Sequence, residues 1–260
     1  MIHLFDANNW VRIAFERDKT GLPLRGILNK MEMIEGVKIV VWDGLHSSRA
    51  RKLLFPGYKS NRPAMAKDMR VNFDTTKEVL NHANVMQVEV PNYEADDVIA
   101  ALARHYASQG QRIAIYSTDW DYAQLVAEYP TLIFAGYNPA TKPVDPEWVV
   151  EYKVFVGDAS DALPGIPGFG PTKFNQSSKM AMRNMLIRIM RGYPLLDEHF
   201  EDLAMKVSMI QWVKKNTETL QNFYNIVKFF PVDMNLISKH TTVGKHDMAA
   251  ADAYLKEWMM

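Results

Sequence analysis

The 260-residue chain sets 30 Lys+Arg against 30 Asp+Glu, so its net charge points to no class of partner, and its length allows one large domain or two small ones with ample core. It has no cysteine, which excludes disulfides and cysteine-held zinc and agrees with a reducing, cytoplasmic setting. No apolar run reaches membrane-spanning length, and the N-terminus lacks the basic-then-apolar pattern of a signal peptide. There is no internal repeat and no low-complexity segment.

Taken in order, Ile2-His3-Leu4-Phe5 predicts a short buried strand ending at Asp6. Helical spacing follows through Trp10, Ile13 and Ala14, and again from about Leu24 to Ile34. The run from Val37 to Trp42 predicts a second strand, ending at Asp43. Residues 44–70 read as a basic loop. A helix near 72–83 leads to a strand around Val85–Val90. A further helix opens at Glu94 and closes at Gly110, which suits a C-terminal cap. The run from Arg112 to Tyr116 predicts another strand, and a helix and the strand Thr131–Ala135 complete the alternation. Strands alternating with helices imply a mostly parallel sheet covered on both faces, an α/β fold. From about Pro146 the spacing is helical, with a boundary expected near 156. Met180, Met182, Met185 and Met190 are expected to fill packing gaps in that region.

The chemistry gathers where strands end. Asp6, Asp43, the cluster Glu94, Asp96 and Asp97, and the pair Asp119 and Asp121 all follow predicted strands, and in an open parallel sheet ligands sit beyond the carboxyl ends. Singly, such an acid is explained by helix capping, and an acidic first turn by the helix dipole. Jointly, seven carboxylates on one edge repel one another unless cations bind. An all-oxygen donor set suits magnesium or manganese, and two such ions are the usual device for phosphodiester hydrolysis. The histidines show no His-Glu-x-x-His spacing, so zinc is not expected.

Two further stretches stand out. Residues 157–173 hold Gly157, Gly165, Gly168 and Gly170 with Pro164, Pro167 and Pro171, a tight turn whose exposed amides and carbonyls suit a phosphate or a monovalent cation. An ordinary helical hairpin turn is the plainer explanation. From Ala162 to Leu196 there is no acid, while Lys173, Lys179, Arg183, Arg188 and Arg191 supply positive charge, a footprint of sequence-independent phosphate binding. Between Gly44 and Asn72 seven Lys/Arg, among them Arg51, Lys59 and Arg62, face one acid, Asp68. A solvated loop would account for that too, but positive charge beside an acidic edge is what a phosphate substrate needs, and Tyr58 is placed to stack on a base.

In joint order these stretches resemble the flap endonuclease/5′→3′ exonuclease family, in the compact form found free-standing in phages and as bacterial polymerase-associated domains. The resemblance is carried by the strand ends at Asp6 and Asp43, Arg51 with Pro56-x-Tyr58-Lys59-x-Asn61-Arg62-Pro63, Glu94-x-Asp96-Asp97, Ser117-x-Asp119-x-Asp121 with Gln124-Leu125, and Gly157-Asp158-x-x-Asp161 before the glycine turn. Phe223-x-x-x-Val227 through Val232-Asp233 is similar to that family's late segment. The chain departs from the pattern at Ala7, at Trp120, in the order Pro171-Thr172-Lys173, and in the polar run Asn175-Gln176-Ser177-Ser178.

The resemblance implies a 5′ nuclease core over 1–156, with a basic arch at about 44–72, and a helical DNA-binding region over 157–260 whose helix–turn–helix spans 157–190. It implies that Asp6, Asp43, Glu94 and Asp96 hold a first metal with Asp97 beside it, and that Asp119, Asp121 and Asp158 hold a second with Asp161 outside. Lys59 and Arg62 would steer the scissile phosphate, with Tyr58 and Arg51 on the same segment. Gly165, Gly168, Gly170, Lys173 and Lys179 would grip duplex, with a potassium ion at the turn. The expected protein is a monomeric two-metal 5′→3′ exonuclease and flap endonuclease, without nucleotide cofactor or membrane. Its substrate would be DNA with a 5′ end or flap, with RNA/DNA hybrid as a further candidate. Two alternatives are a DNA-junction binder without activity, which would not need so many crowded acids, and a magnesium phosphotransferase or phosphatase, which leaves the glycine turn and Tyr58–Arg62 unexplained.

Overall fold

The computed structural model describes residues 1–17, 22–136 and 138–258. In chain order, β1 Ile2–Asp6, α1 Ala7–Arg17, α2 Pro23–Met33 and β2 Val37–Trp42 are followed by α3 Arg49–Leu54 and α4 Lys67–Asn81. Next come β3 Met86–Glu89, α5 Ala95–Ser108, β4 Ile113–Tyr116, α6 Ala123–Glu128 and β5 Ile133–Ala135. Helices α7 Val149–Phe155, α8 Pro171–Gln176, α9 Lys179–Met190, α10 Val207–Lys215, α11 Thr217–Val227 and α12 Met234–Lys239 lead to β6 Thr241–Val243 and α13 Met248–Trp258. No helix among the described residues is long and apolar enough to cross a membrane.

The chain makes two compact units. One comprises residues 1–47, 64–137 and 231–260, the other residues 48–63 and 138–230. The first is built on a six-stranded sheet of order β5-β4-β1-β2-β3-β6. Five strands run parallel, in register Leu4↔Ile39 and Leu4↔Ile115 about the central β1. Every residue of β1 is buried, as a strand covered on both faces requires. Phe5, Val40 and Trp42 pack under α1, α2 and α4 in one core cluster that also takes Ala251 and Leu255 of α13. Pro23 starts α2 at a position where its missing N–H costs nothing. Gly110, at φ +73°, follows the end of α5 in the left-handed conformation expected of it.

The second unit is helical. Phe155, Ile166, Phe169, Phe174, Met185 and Phe223 belong to its core, and α11 packs against α7, α9 and α3.

Three expectations change here. Residues 44–70 are not one loop: they carry α3, and α4 begins at Lys67 rather than near 72, while the intervening segment contributes Tyr58 to the helical core. The units do not divide near 156. Residues 231–260 return to the sheet, where β6 pairs antiparallel with β3, Met86 opposite Val243, so the region after Pro146 is not wholly helical. Met182 and Met185 fill the core as expected, but Met180 is exposed on the outer side of α9.

Candidate active site

In the sheet unit, the parallel strands deliver the acidic residues to one edge. Asp6 closes β1, Asp43 follows β2, Glu94 precedes α5 with Asp96 and Asp97 in its first turn, and Asp119 and Asp121 follow β4. Glu94 is 4 % exposed, Asp97 0 %, Asp121 7 % and Asp6 9 %, so these are not solvated surface acids.

Local bonds aim them. Asp6 accepts from the Asn9 amide (3.2 Å), from Ser117 Oγ (2.9 Å) and from the buried Tyr122 hydroxyl (3.3 Å). Asp43 accepts from Asn8 Nδ2 (2.9 Å) and from the Ala95 amide at the start of α5 (2.8 Å), which ties the end of β2 to the acidic turn after β3. Gly44 keeps that approach close: its amide bonds the Tyr93 carbonyl at 3.0 Å, and any side chain there would overlap the Val90 carbonyl. Asp119 accepts from the Asp121 amide (3.1 Å) and heads a single 3-10 turn. Capping therefore does occur at Asp119, as the plainer explanation supposes, whereas Asp43 takes up the first amide of α5 from a separate strand end. Neither removes the crowding.

The electrostatics record that crowding. Burial first, then Asp43 and Asp119, push the Asp6 carboxyl up to about 7. Burial and the charges of Asp6, Asp96, Asp119 and Asp43 push the Tyr122 hydroxyl well above its ordinary value, so it remains a hydrogen-bond donor. An oxygen-only donor set that holds a proton this tightly is one that a divalent cation would relieve, and the residues present fit such an ion.

In the helical unit, α7 runs into the glycine turn. Asp158 and Leu163 exchange backbone hydrogen bonds at 2.9 Å, and the Ile166 amide bonds the Phe155 carbonyl at 2.8 Å. Gly157 (φ +97°) and Gly165 (φ +66°) make the crossing possible, since a Cβ on Gly165 would stand 2.5 Å from the Gly157 nitrogen. Lys153, almost wholly buried, places Nζ 2.5 Å from Asp158 Oδ2, and Ser160 donates to Oδ1 through its amide (2.8 Å) and hydroxyl (2.6 Å). Burial raises the Asp158 carboxyl, but the Lys153 ammonium and the Ser160 bonds outweigh it and hold the group below its ordinary value. Burial raises Asp161 against the opposing charges of Lys59, Lys153 and Arg62.

The 56–63 segment is latched to this turn. Asn61 Nδ2 donates to the Ala159 carbonyl (2.6 Å), Arg62 Nε to the Ser160 carbonyl (3.2 Å), Arg62 Nη2 to Asp161 Oδ1 (3.0 Å), and the Lys59 amide to the Asp161 carbonyl (2.9 Å). Lys59 itself takes φ +53°, with its ammonium 4.8 Å from the centre of the Tyr58 ring.

Two expected substrate contacts give way to packing. Tyr58 is 2 % exposed and belongs to the helical core, so its ring is not presented to a base. Arg51 is equally buried: Nε donates to the Ile226 carbonyl (3.0 Å) and the guanidinium lies over Phe230 (4.5 Å). The basic face is also partly spent within the unit. Lys179 Nζ bonds the Phe174 and Ser177 carbonyls at the end of α8, and Arg183 bonds Glu151 (2.6 Å) and Glu147 (3.3 Å). Lys173 remains half-exposed on α8. The polar run after it has a structural reason: Ser177 Oγ donates to the Lys173 carbonyl and accepts from the Ala204 amide, and Ser178 caps α9. The run is a helix break, not a damaged helix.

The carboxylates were legible as a group, but their organisers were not. Asn8, Ser117 and Tyr122 are ordinary residue types, and Lys153 sits in an apolar helical run whose partner, five residues on, only the turn brings back.

Residues 19–153 match the family described as 5'-3' exonuclease, N-terminal resolvase-like domain. The 5'-3' exonuclease of Aquifex aeolicus is 28% identical over 235 residues, which cover 85% of this chain and 75% of that one. DNA polymerase I of Mycobacterium bovis is 36% identical over 129 residues, but these are 45% of this chain and only 14% of that much longer protein. Among solved structures, the bacteriophage T5 flap endonuclease, in a pseudo-enzyme–product complex with DNA and metal ions, aligns with a TM-score of 0.63. At 18% identity over 99% of this chain and 97% of that one, this is a likeness of fold. The family match covers more than half of the sequence and takes in every proposed ligand of the sheet edge from Asp43 to Asp121, so the chain belongs to the 5′-3′ exonuclease family.

Proposed function

We propose that this chain hydrolyses phosphodiester bonds at the 5′ ends and 5′ flaps of DNA, using divalent metal ions held on the carboxyl edge of its sheet. Family membership makes it a metal-dependent nuclease. The observation that supports the rest is the edge itself: carboxylates from four strand ends, with Asp6, Glu94, Asp97 and Asp121 buried, crowded until Asp6 holds its proton to about pH 7. Asp6, Asp43, Glu94, Asp96 and Asp97 are proposed as the ligands of one ion and its surroundings. Asp119, Asp121, Asp158 and Asp161 keep the roles that the family's residue pattern gives them. Bound magnesium or manganese would supply a water of lowered pKa and an electrophile for the leaving oxygen.

The chain's own residues do the remaining work. Asn8 and Ala95 N–H orient Asp43, while Ser117 and Tyr122 orient Asp6. Lys59 meets negative charge on the phosphate as it builds, and Arg62 exchanges its bond to Asp161 for one to phosphate. Lys173 and the carbonyls of the 165–170 turn, the latter with a potassium ion, hold duplex backbone. Tyr58 and Arg51 drop out as substrate contacts because they are packed away.

The test is cleavage of labelled 5′-flap, nicked and blunt duplexes with and without magnesium. Metal-dependent release of 5′-phosphate products is expected. Asp119→Asn should lose it without any fall in the melting temperature of the metal-free protein, since one charge leaves a crowded edge. Capping the flap with a bulky protein before adding enzyme should slow cleavage sharply if a free 5′ end must be reached. Binding without cleavage, or hydrolysis of a small phosphomonoester in its place, would overturn the reading.

A further inference from the structure

Beside the carboxylate edge, between the first turn of α1 and the ends of β4 and β5, lies a cleft of about 220 Å³ that the proposed metal and phosphate roles leave unused. Its walls are apolar and partly aromatic, formed by Trp10, Ile13, Tyr116 and Ala135. The aromatic wall is braced from behind. Trp10 and Tyr116 both rest on the buried Phe5, with ring centres 5.0 and 4.3 Å away, and the Tyr116 hydroxyl is 3.0 Å from His3 Nδ1. At the mouth the Lys30 ammonium lies 5.7 Å from the Trp10 ring and 5.1 Å from the Tyr116 ring, and it forms no ion pair with a carboxylate among the described residues.

The cleft is joined to the acidic edge through one residue. Ser117 lines it, donates to Asp6 Oδ2 at 2.9 Å and accepts from the Asp119 amide at 3.1 Å. Asn9 and Thr118 close one side by bonding each other, Asn9 Nδ2 to Thr118 Oγ1 at 2.9 Å and the Thr118 amide to Asn9 Oδ1 at 3.0 Å. Gly136, at φ +91°, also lines the cleft and keeps the end of β5 close to that of β4, since a Cβ there would stand 2.9 Å from the Ser117 carbonyl.

Apolar, aromatic walls with a cation at the mouth suit a flat aromatic ring tethered to an anion. The volume suits one base and not a base pair. On the carboxyl edge of a nuclease sheet, that ligand is a nucleotide. Acids close by repel phosphate, and Lys30 is the charge that offsets this at the cleft. We propose that this cleft holds one unpaired nucleotide of the substrate strand, its base against Trp10 and its phosphate on Lys30. The proposal rests on the nuclease reading above and adds a place for the unpaired strand. Stacking of this kind is tolerant of sequence, as cleavage governed by structure requires.

The test uses the full chain in EDTA with 5′-flap duplexes carrying 2-aminopurine at each of the first three unpaired positions in turn. One position should be quenched on binding. Trp10→Leu should abolish that quench and weaken flap binding roughly tenfold, the usual scale for one lost base stack. Lys30→Gln, an exposed change that leaves the core intact, should flatten the salt dependence of flap binding by about 0.7 of a slope unit. It should leave binding of a flapless nicked duplex unchanged. If Trp10→Leu fails to fold by circular dichroism, Lys30→Gln decides. An unchanged slope with an unchanged quench overturns the cleft. Because these readings are taken without metal, they are judged separately from magnesium-dependent cleavage by the wild type. Cleavage with no cleft effect would leave the nuclease standing, and a cleft effect without cleavage would leave the nucleotide site standing alone.

Discussion

Replacing Asp6 with asparagine should make the metal-free protein more stable, and the structure sets the size and the pH range of the gain. Burial, then the neighbouring carboxylates Asp43 and Asp119, raise the Asp6 carboxyl from 3.8 to about 7. Below pH 3.8 both folded and unfolded chains hold this proton, and the group has no effect on stability. Between 3.8 and 7 the unfolded chain ionises while the folded one does not, so stability falls as pH rises. Above 7 the penalty is complete, about 4 kcal/mol at 1.36 kcal/mol per pH unit. Asparagine carries no charge but has one acceptor oxygen in place of two, so one of the bonds from Asn9, Ser117 or Tyr122 is lost at about 1 kcal/mol. The net gain at pH 8 is about 3 kcal/mol; it falls to zero at about pH 4.5 and turns into a loss of about 1 kcal/mol well below pH 3.8, where only the missing bond remains. Urea unfolding in EDTA across this range reads it directly, with the denaturant slope as a check that both chains unfold alike. Magnesium or manganese should stabilise the wild type and much less the variant. An Asp6→Asn chain no more stable than wild type at pH 8, or a difference that does not vary with pH, would refute the account of a crowded edge held ready for cations.

The remaining predictions are smaller in scope. Lys59→Ala should lower kcat more than it raises KM, whereas Lys173→Ala should weaken duplex binding and reduce its salt slope by about 0.9, the value for one phosphate contact. Equal salt slopes for wild type and Lys173→Ala would place the duplex elsewhere. Gly165→Ala should cost about 2 kcal/mol or more, because φ is +66° and the new Cβ would press on the Gly157 nitrogen; thermal melting would show it. Lys153→Met should cost roughly 3–5 kcal/mol at neutral pH by leaving Asp158 buried without its ammonium. That loss should fade in acid. The pair contributes above the ordinary carboxylate value and is lost as pH falls through the lowered value of Asp158, which melts at pH 7 and below pH 3 would compare.

The central strands were readable because a parallel sheet covered on both faces demands unbroken apolar runs, and Ile2–Phe5 and Val37–Trp42 supply them. The acidic edge followed from the same geometry, since parallel strands bring their trailing residues together however far apart they lie in the chain. Short elements escaped for opposite reasons. Thr241–Val243 is too brief and too polar to announce a strand, and it exists because β3 offers it an edge. Arg49–Leu54 was hidden by its charge: composition marks Arg51 as a solvent-facing base, while the fold buries it against Ile226 and Phe230. Tyr58 misled in the same way, because an aromatic in a basic stretch suits a base platform as well as it suits a core. Bonds such as Arg62 to Asp161 or Lys153 to Asp158 depend on where a turn folds back, and no spacing rule encodes that.

The antiparallel pairing of β6 with β3 has a consequence for how the chain is made. β3 leaves the ribosome about 150 residues ahead of Thr241, the first residue of its partner. At about 5–20 residues per second that is roughly 10–30 s of synthesis. For all of that time Met86–Glu89 is the open margin of a nascent sheet, with backbone donors and acceptors ready to pair with any extended strand nearby. The helical segment 138–230 is translated in the interval, so it emerges while the sheet is still incomplete. On a crowded polysome the nearest extended strands belong to sister chains at the same stage, and the three residues Thr241–Val243 are what closes that window.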